Sequence, residues 1–178
     1  MPNWCQNTLV LSHSDPAMIK RAEDAFARGE FCQEFDPIPA ELGETTSPNR
    51  TNAAEMLEKY GYTDWYSYAV NEWGTKWDFG QSDGINDVTE DELVVFFESA
   101  WSPPLQLMAK LEKLGFGVDL MYYEPGMGFC GHYTTEDGDE CYETAGMTAD
   151  QADEELPADL NEAFCIAESI RENEEYDE

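Results

Sequence analysis

A catalytic thiol needs an imidazole within hydrogen-bond reach, and a metal site needs several ligands close together. The chain carries Cys5, Cys32, Cys130, Cys141 and Cys165 but only His13 and His132. His13 lies eight residues after Cys5, far along the same predicted strand, and Cys130 and His132 form one isolated close pair. Small buried thiols are the better reading, and neither a metal nor a cofactor is expected. Asp78-Phe79-Gly80 imitates a kinase motif without its companion motifs. The turns Asp83-Gly84-Ile85-Asn86-Asp87 and Glu136-Asp137-Gly138-Asp139-Glu140 are acidic but lack the ligand spacing of a calcium loop. With no triad, phosphate loop or dinucleotide fingerprint, a non-enzymatic role is expected.

Two other groupings carry chemistry of a binding kind. Trp4, Trp73, Trp77 and Trp101 flank Asn3, Lys76 and Asp78. They could wall a pocket with a few polar groups, with Lys76 paired to Asp78 or to a strand-end carbonyl. The more ordinary reading is that the indoles pin a helical insertion to a sheet and satisfy their N–H groups locally.

The second grouping is acidic. The chain has 39 acids against 9 bases, a net charge of −30. From Glu136 to Glu178 there are 17 acids and one base, Arg171. This charge opposes direct binding to nucleic acid or to an anionic membrane. A compact chain of this length is about 40 Å across, and B-DNA of that length carries roughly 24 phosphate charges. The charge density is therefore duplex-like. Salt adaptation would spread the acids and raise Asp, whereas Glu outnumbers Asp here, 24 to 15. A basic partner would meet Glu136, Asp137, Asp139 and Glu140 of a hairpin, and Asp150, Asp153, Glu154, Glu155, Asp159 and Glu162 of the tail.

Positioning these groups requires a fold. Trp4 to His13 reads as a first strand, followed by a helix with Asp15 or Ser14 as cap, Pro16 in its first turn and Gly29 as stop. Phe31 to Phe35 reads as a short second strand broken by Pro37 and Pro39. Two helical pieces follow, from Asn52 to Tyr60 and from Asp64 to Trp73, and then a loop from Gly80 to Asp91. Glu92 to Trp101 is apolar on both faces, with Leu93, Val95 and Phe97 on one and Val94 and Phe96 on the other. That predicts a central strand covered on both sides. Ser102 would cap a helix carrying Leu105, Met108, Leu111 and Leu114. Strands over Val118–Glu124, Phe129–Tyr133 and Glu140–Thr144 complete the count, the last two joined by the Asp137-Gly138 turn. Leu160, Ala163, Phe164, Ala167 and Ile170 space as one face of a final helix, expected to pack on the body.

This order predicts an α+β, split βαβ fold of the ferredoxin-like kind with a mainly antiparallel sheet. Its domain would span residues 1–146 with a helical insertion at about 40–90, and residues 147–178 would form an acidic helix and tail. No run is long enough for a membrane span, and the opening residues lack a leader pattern, so a cytoplasmic setting is expected.

Four ordered segments, Pro2-Asn3-Trp4-Cys5 with Asn7, Phe35-Asp36-Pro37-Ile38-Pro39, Trp73-Gly74-Thr75-Lys76-Trp77-Asp78 and Ala100-Trp101-Ser102-Pro103-Pro104, resemble the YubB-type ferredoxin-like domain proteins of plasmids, phages and other mobile elements. Phe129-Cys130-Gly131 adds a weaker match. Glu72 stands where that pattern often has Asn, and the acidic segment after Met147 falls outside it. The resemblance implies a ferredoxin-like fold and a bacterial host, and it implies no reaction. Joined to the charge, it points to an acidic DNA mimic that inhibits a host defence system such as a restriction or CRISPR nuclease. The alternative is a small-ligand or nucleotide-binding module using the Trp-rich region.

Overall fold

The computed structural model describes residues 3–176, with side chains through Glu174. Pro2 of the opening motif and the acids Asp177 and Glu178 lie outside the described residues. The elements in chain order are β1 Trp4–Ser12, α1 Pro16–Arg28, α2 Phe31–Phe35, α3 Ala40–Gly43, α4 Ala53–Tyr60, α5 Trp65–Glu72, β2 Ile85–Val88, β3 Glu92–Ala100, α6 Leu105–Lys113, β4 Gly117–Glu124, β5 Phe129–Thr134, β6 Gly138–Glu143, α7 Ala149–Glu155, α8 Ala158–Phe164 and α9 Ile166–Tyr176.

The six strands form one sheet in the order β2-β3-β1-β4-β5-β6, with every neighbouring pair antiparallel. Strands β1 to β4 with α1 and α6 make two interlocked split βαβ units. β3 lies between β1 and β2, and β1 lies between β3 and β4. The β5–β6 hairpin extends that core by two strands, turning at Gly138 with φ 77°.

Alternation along β1 sends Cys5, Leu9 and Leu11 to one face, where they are buried with Leu93, Val95 and Phe97 of β3. α1, α2 and α6 cover this face with Ile19, Phe26, Phe31, Leu107, Met108 and Leu111. Asp15 caps α1 by accepting the backbone N–H of Ala17, and Gly29 ends it in the left-handed region. α5 begins at a capping box between Asp64 and Ser67.

Four expectations are corrected. Phe31–Phe35 is a helix. Phe31 and Phe35 at i,i+4 meet in a tilted contact with ring centroids 5.2 Å apart, and the Asp78 carboxylate accepts the backbone N–H groups of Cys32 and Gln33 in the first turn. The second strand of the core is instead β2, inside the stretch read as a loop. Ser102 does not cap α6, which starts after Pro104; its hydroxyl donates to the Gly74 carbonyl. The Leu160–Ile170 stripe is not one helix either. Cys165, at φ 50° and ψ 43°, breaks it into α8 and α9 and leaves Ala163 exposed.

The fourth correction concerns β3. It is an interior strand, but only one of its faces is fully covered. Val94 is half-buried and Phe96 is 46% exposed. The second sheet face is covered over β4 and β5 by α7, α8 and α9, whose Ala152, Leu156, Leu160, Ile166 and Ala167 pack with Tyr123 and Cys130. That cover does not extend across β1 and β3, so half of the face is open.

Candidate functional site

The open half-face is a groove. Its floor is the outward side of β1 and β3, bearing Trp4, Gln6, Thr8, Phe96 and Glu98. One wall is the segment Asp78–Gly84, and the other is Ala163 and Phe164 of α8. The space amounts to about 660 Å³. Two glycines let the first wall come this close. A Cβ on Gly80, at φ 118°, would strike the backbone of Phe26, and one on Gly84 would strike the Phe96 carbonyl oxygen.

The tryptophans separate into two roles. Trp73 is 2% exposed and donates its indole N–H to the Asp36 carbonyl at 2.9 Å, so it is a packing residue satisfied locally. Trp4 and Trp77 are 43% and 40% exposed and lie with ring centroids 6.0 Å apart beside the groove. Trp101 is also exposed and holds φ 75°, a conformation unfavourable for a bulky residue; its backbone N–H donates to the Asn3 carbonyl.

Lys76 is not paired with Asp78. Its ammonium lies 4.5 Å from the Trp77 ring centroid and 5.6 Å from that of Tyr66. Asp78 is turned inward, where its carboxylate accepts N–H groups from Cys32, Gln33 and Phe79 at 2.7–2.9 Å. Burial raises its pKa, and those N–H groups work against the rise.

Sequence reasoning missed an ionic network behind Trp73. Lys110 bridges Asp36 (2.6 Å) and Glu72, Tyr62 donates to Glu72, and Tyr68 donates to Asp36. The Lys110 contact first, then that of Tyr62, holds the Glu72 pKa below its ordinary value. These long-range contacts tie the end of α2 and the inserted α5 to α6.

Three of the thiols are buried. Burial pushes Cys5 up to about 12 and Cys130 up to about 11, and Cys32 is raised by burial beside Asp78. Among the described residues no group of three or more His, Cys, Asp or Glu side chains is placed to hold a metal ion.

The candidate partner-binding acids occupy two connected places. Glu136, Asp137, Asp139 and Glu140 are exposed at the β5–β6 hairpin, and Asp150, Asp153, Glu154, Glu155, Asp159 and Glu162 are exposed on α7 and α8. Tyr142 joins them. It packs against the tail cluster and donates to Glu140 at 3.2 Å; its pKa is raised by burial first, then by the nearby carboxylates of Glu140 and Asp159. Five of the ten are engaged. Besides Glu140, Asp137 accepts the Thr134 hydroxyl, Asp139 the Tyr122 hydroxyl and Asp159 the backbone N–H of Leu160, and Asp153 pairs with Arg171 at 2.9 Å.

The arrangement is that of a ferredoxin-like domain whose sheet is widened by a hairpin and half covered by acidic helices. A family model described as the ferredoxin-like domain in Api92-like protein matches residues 72–163, over half of the chain, and the chain belongs to that family. The matched stretch runs past Met147, through α7 and nearly to the end of α8. The crystal structure of a protein api92 from Yersinia pseudotuberculosis is similar at 12% identity, covering 80% of this chain and 98% of that one, with a TM-score of 0.44. No curated protein matches the chain.

Proposed function

We propose that this protein is a non-enzymatic interaction protein of a phage or plasmid that captures a basic, nucleic-acid-binding protein of its bacterial host. It acts as a DNA mimic: its carboxylates occupy lysines and arginines that otherwise hold phosphates, as an inhibitor of a restriction or CRISPR nuclease would. The observation that carries the reading is the docking of α7 and α8. Leu156 and Leu160 are buried against Tyr123 and Cys130, so the tail acids sit on a fixed surface that meets the hairpin acids at Tyr142. A fixed array of charge loses less conformational entropy on binding than a loose tail would. The mobile-element setting rests on the resemblance of the four motifs. The test is a retained host partner tried in competition: it should elute with a salt gradient, and a DNA duplex should displace it. A partner that resists salt and ignores duplex DNA would sink the reading.

A second reading, a small-ligand or nucleotide-binding module, is favoured by the groove between Asp78–Gly84 and α8. A thermal-shift screen of nucleotides would decide it, and the net charge of −30 weighs against phosphate-bearing ligands.

A further inference from the structure

We infer that the groove on the open half of the sheet is an anchor site for an arginine-bearing segment of the basic partner, and this inference rests on the capture reading above. Two properties of the groove agree on that occupant. Its floor and wall are aromatic: Trp4, Phe96 and Phe164. Its charged lining carries the carboxylates of Glu98 and Asp83, both exposed and neither in an ion pair among the described residues. Asp78, the other acid there, is occupied by its three N–H donors.

Aromatic faces next to unpaired carboxylates suit a cation that is also flat. A guanidinium stacks on a ring and still offers its edge as a fork to a carboxylate; an ammonium is a hydrated point charge that gains less from the ring face. The molecule already holds one arginine this way, since the Arg21 guanidinium lies 4.8 Å from the Phe35 ring centroid and pairs with Glu34 at 2.7 Å. The space of about 660 Å³ exceeds what one guanidinium needs, so the residues flanking the arginine enter with it. Other occupants fare worse. An oligonucleotide could stack on an aromatic sheet, but its phosphates would enter the field of a chain carrying −30, and a second copy of the chain would bring −30 of its own. An aromatic centre beside an acidic surface is also the usual anatomy of a protein interface, with anchors inside and charge at the rim.

The test is a titration of the full chain, followed by tryptophan fluorescence, with a blocked glycine–arginine peptide, its lysine and citrulline counterparts, and oligothymidine. Enough salt is added to screen the long-range field of the tail. The arginine peptide should bind saturably, the lysine peptide more weakly, and the citrulline peptide not at all. Phe96→Ala and Glu98→Gln should each weaken the arginine peptide by roughly fivefold, about 1 kcal/mol. If Phe96→Ala also lowers the melting temperature, Glu98→Gln decides, because it removes no apolar surface. Failure of the arginine peptide to bind, equal binding of the lysine peptide, indifference to Glu98→Gln, or saturable oligothymidine binding would each overturn the inference. A tail variant with Asp150, Glu154, Glu155 and Asp159 neutralised separates the two readings. If it alone loses the peptide, the groove inference fails and acidic capture stands; if it keeps the peptide but loses nothing against the host partner, acidic capture fails and the groove stands.

Discussion

Residue by residue, burial decides which side chains can react. Cys5, Cys32 and Cys130 are buried with raised pKa values, whereas Cys141 and Cys165 are exposed. Iodoacetamide at mildly alkaline pH should therefore label Cys141 and Cys165 in the folded protein, and mass spectrometry should find the other three only after denaturation. Modification of Cys130 in the folded state would contradict the packing of α8 over β5. The ionic network gives a second prediction. Because Glu72 has a folded pKa below its ordinary 4.5, its contribution is present above that value and is lost as pH falls through the folded pKa. Glu72→Gln should lower the melting temperature at neutral pH, and its gap to the parent should close as the pH drops below about 4.5. A gap that stayed constant would mean that the charge on Glu72 contributes nothing. The residue types of this network were visible in the sequence; their meeting was not, because Asp36, Glu72 and Lys110 are separated by dozens of residues.

At the level of elements, the strands and helices with strong periodicity and standard punctuation were legible. Asp15-Pro16 opened α1, Gly29 closed it, and Asp64 opened α5. What failed did so for physical reasons. Phe31–Phe35 is too short for a period of two to differ from one of 3.6, and its cap is a carboxylate 46 residues away. β2 is four residues long, with all but Ile85 exposed, so it bears no apolar alternation. In β3, Glu92 and Glu98 share the face of Val94 and Phe96; that acidic framing was the available sign of an open face, and the apolar run hid it. The open groove could have been suspected from it, whereas the acidic surface needed only composition. The consequence is testable. Phe96→Asp should fold with a modest loss, and Val95→Asp, on the buried face, should not fold. Leu160→Ala should cost about 2–5 kcal/mol in chemical denaturation, as a buried leucine in the tail cluster. A negligible loss would show that α8 does not dock.

For the molecule as a whole, charge sets opposite responses to salt. Lys20, Arg21, Arg28, Lys59, Lys110 and Arg171 already serve internal ion pairs, so most acids among the described residues face solvent without a counter-charge. Added sodium chloride should raise the melting temperature by screening self-repulsion, and the same salt should slow association with the proposed basic partner. Neutralising Asp150, Glu154, Glu155 and Asp159 together should reproduce both effects, measured by calorimetry and stopped-flow mixing. Any one of those changes alone should do little, since exposed charges are individually weak. A melting temperature that falls with salt would mean that internal ion pairs outweigh the repulsion.

The place of β1 in the sheet has a consequence for synthesis. Its two neighbours are β3, from Glu92, and β4, from Gly117, so a strand made early waits for partners made about a hundred residues later. At roughly 5–20 residues per second a ribosome needs about 5–20 s to supply them. Meanwhile Leu9 and Leu11 have α1, with Ile19 and Phe26, as their local shelter. The nascent protein should therefore bind a holdase chaperone until β4 emerges, and release should track the appearance of Glu124 rather than that of the helical insertion.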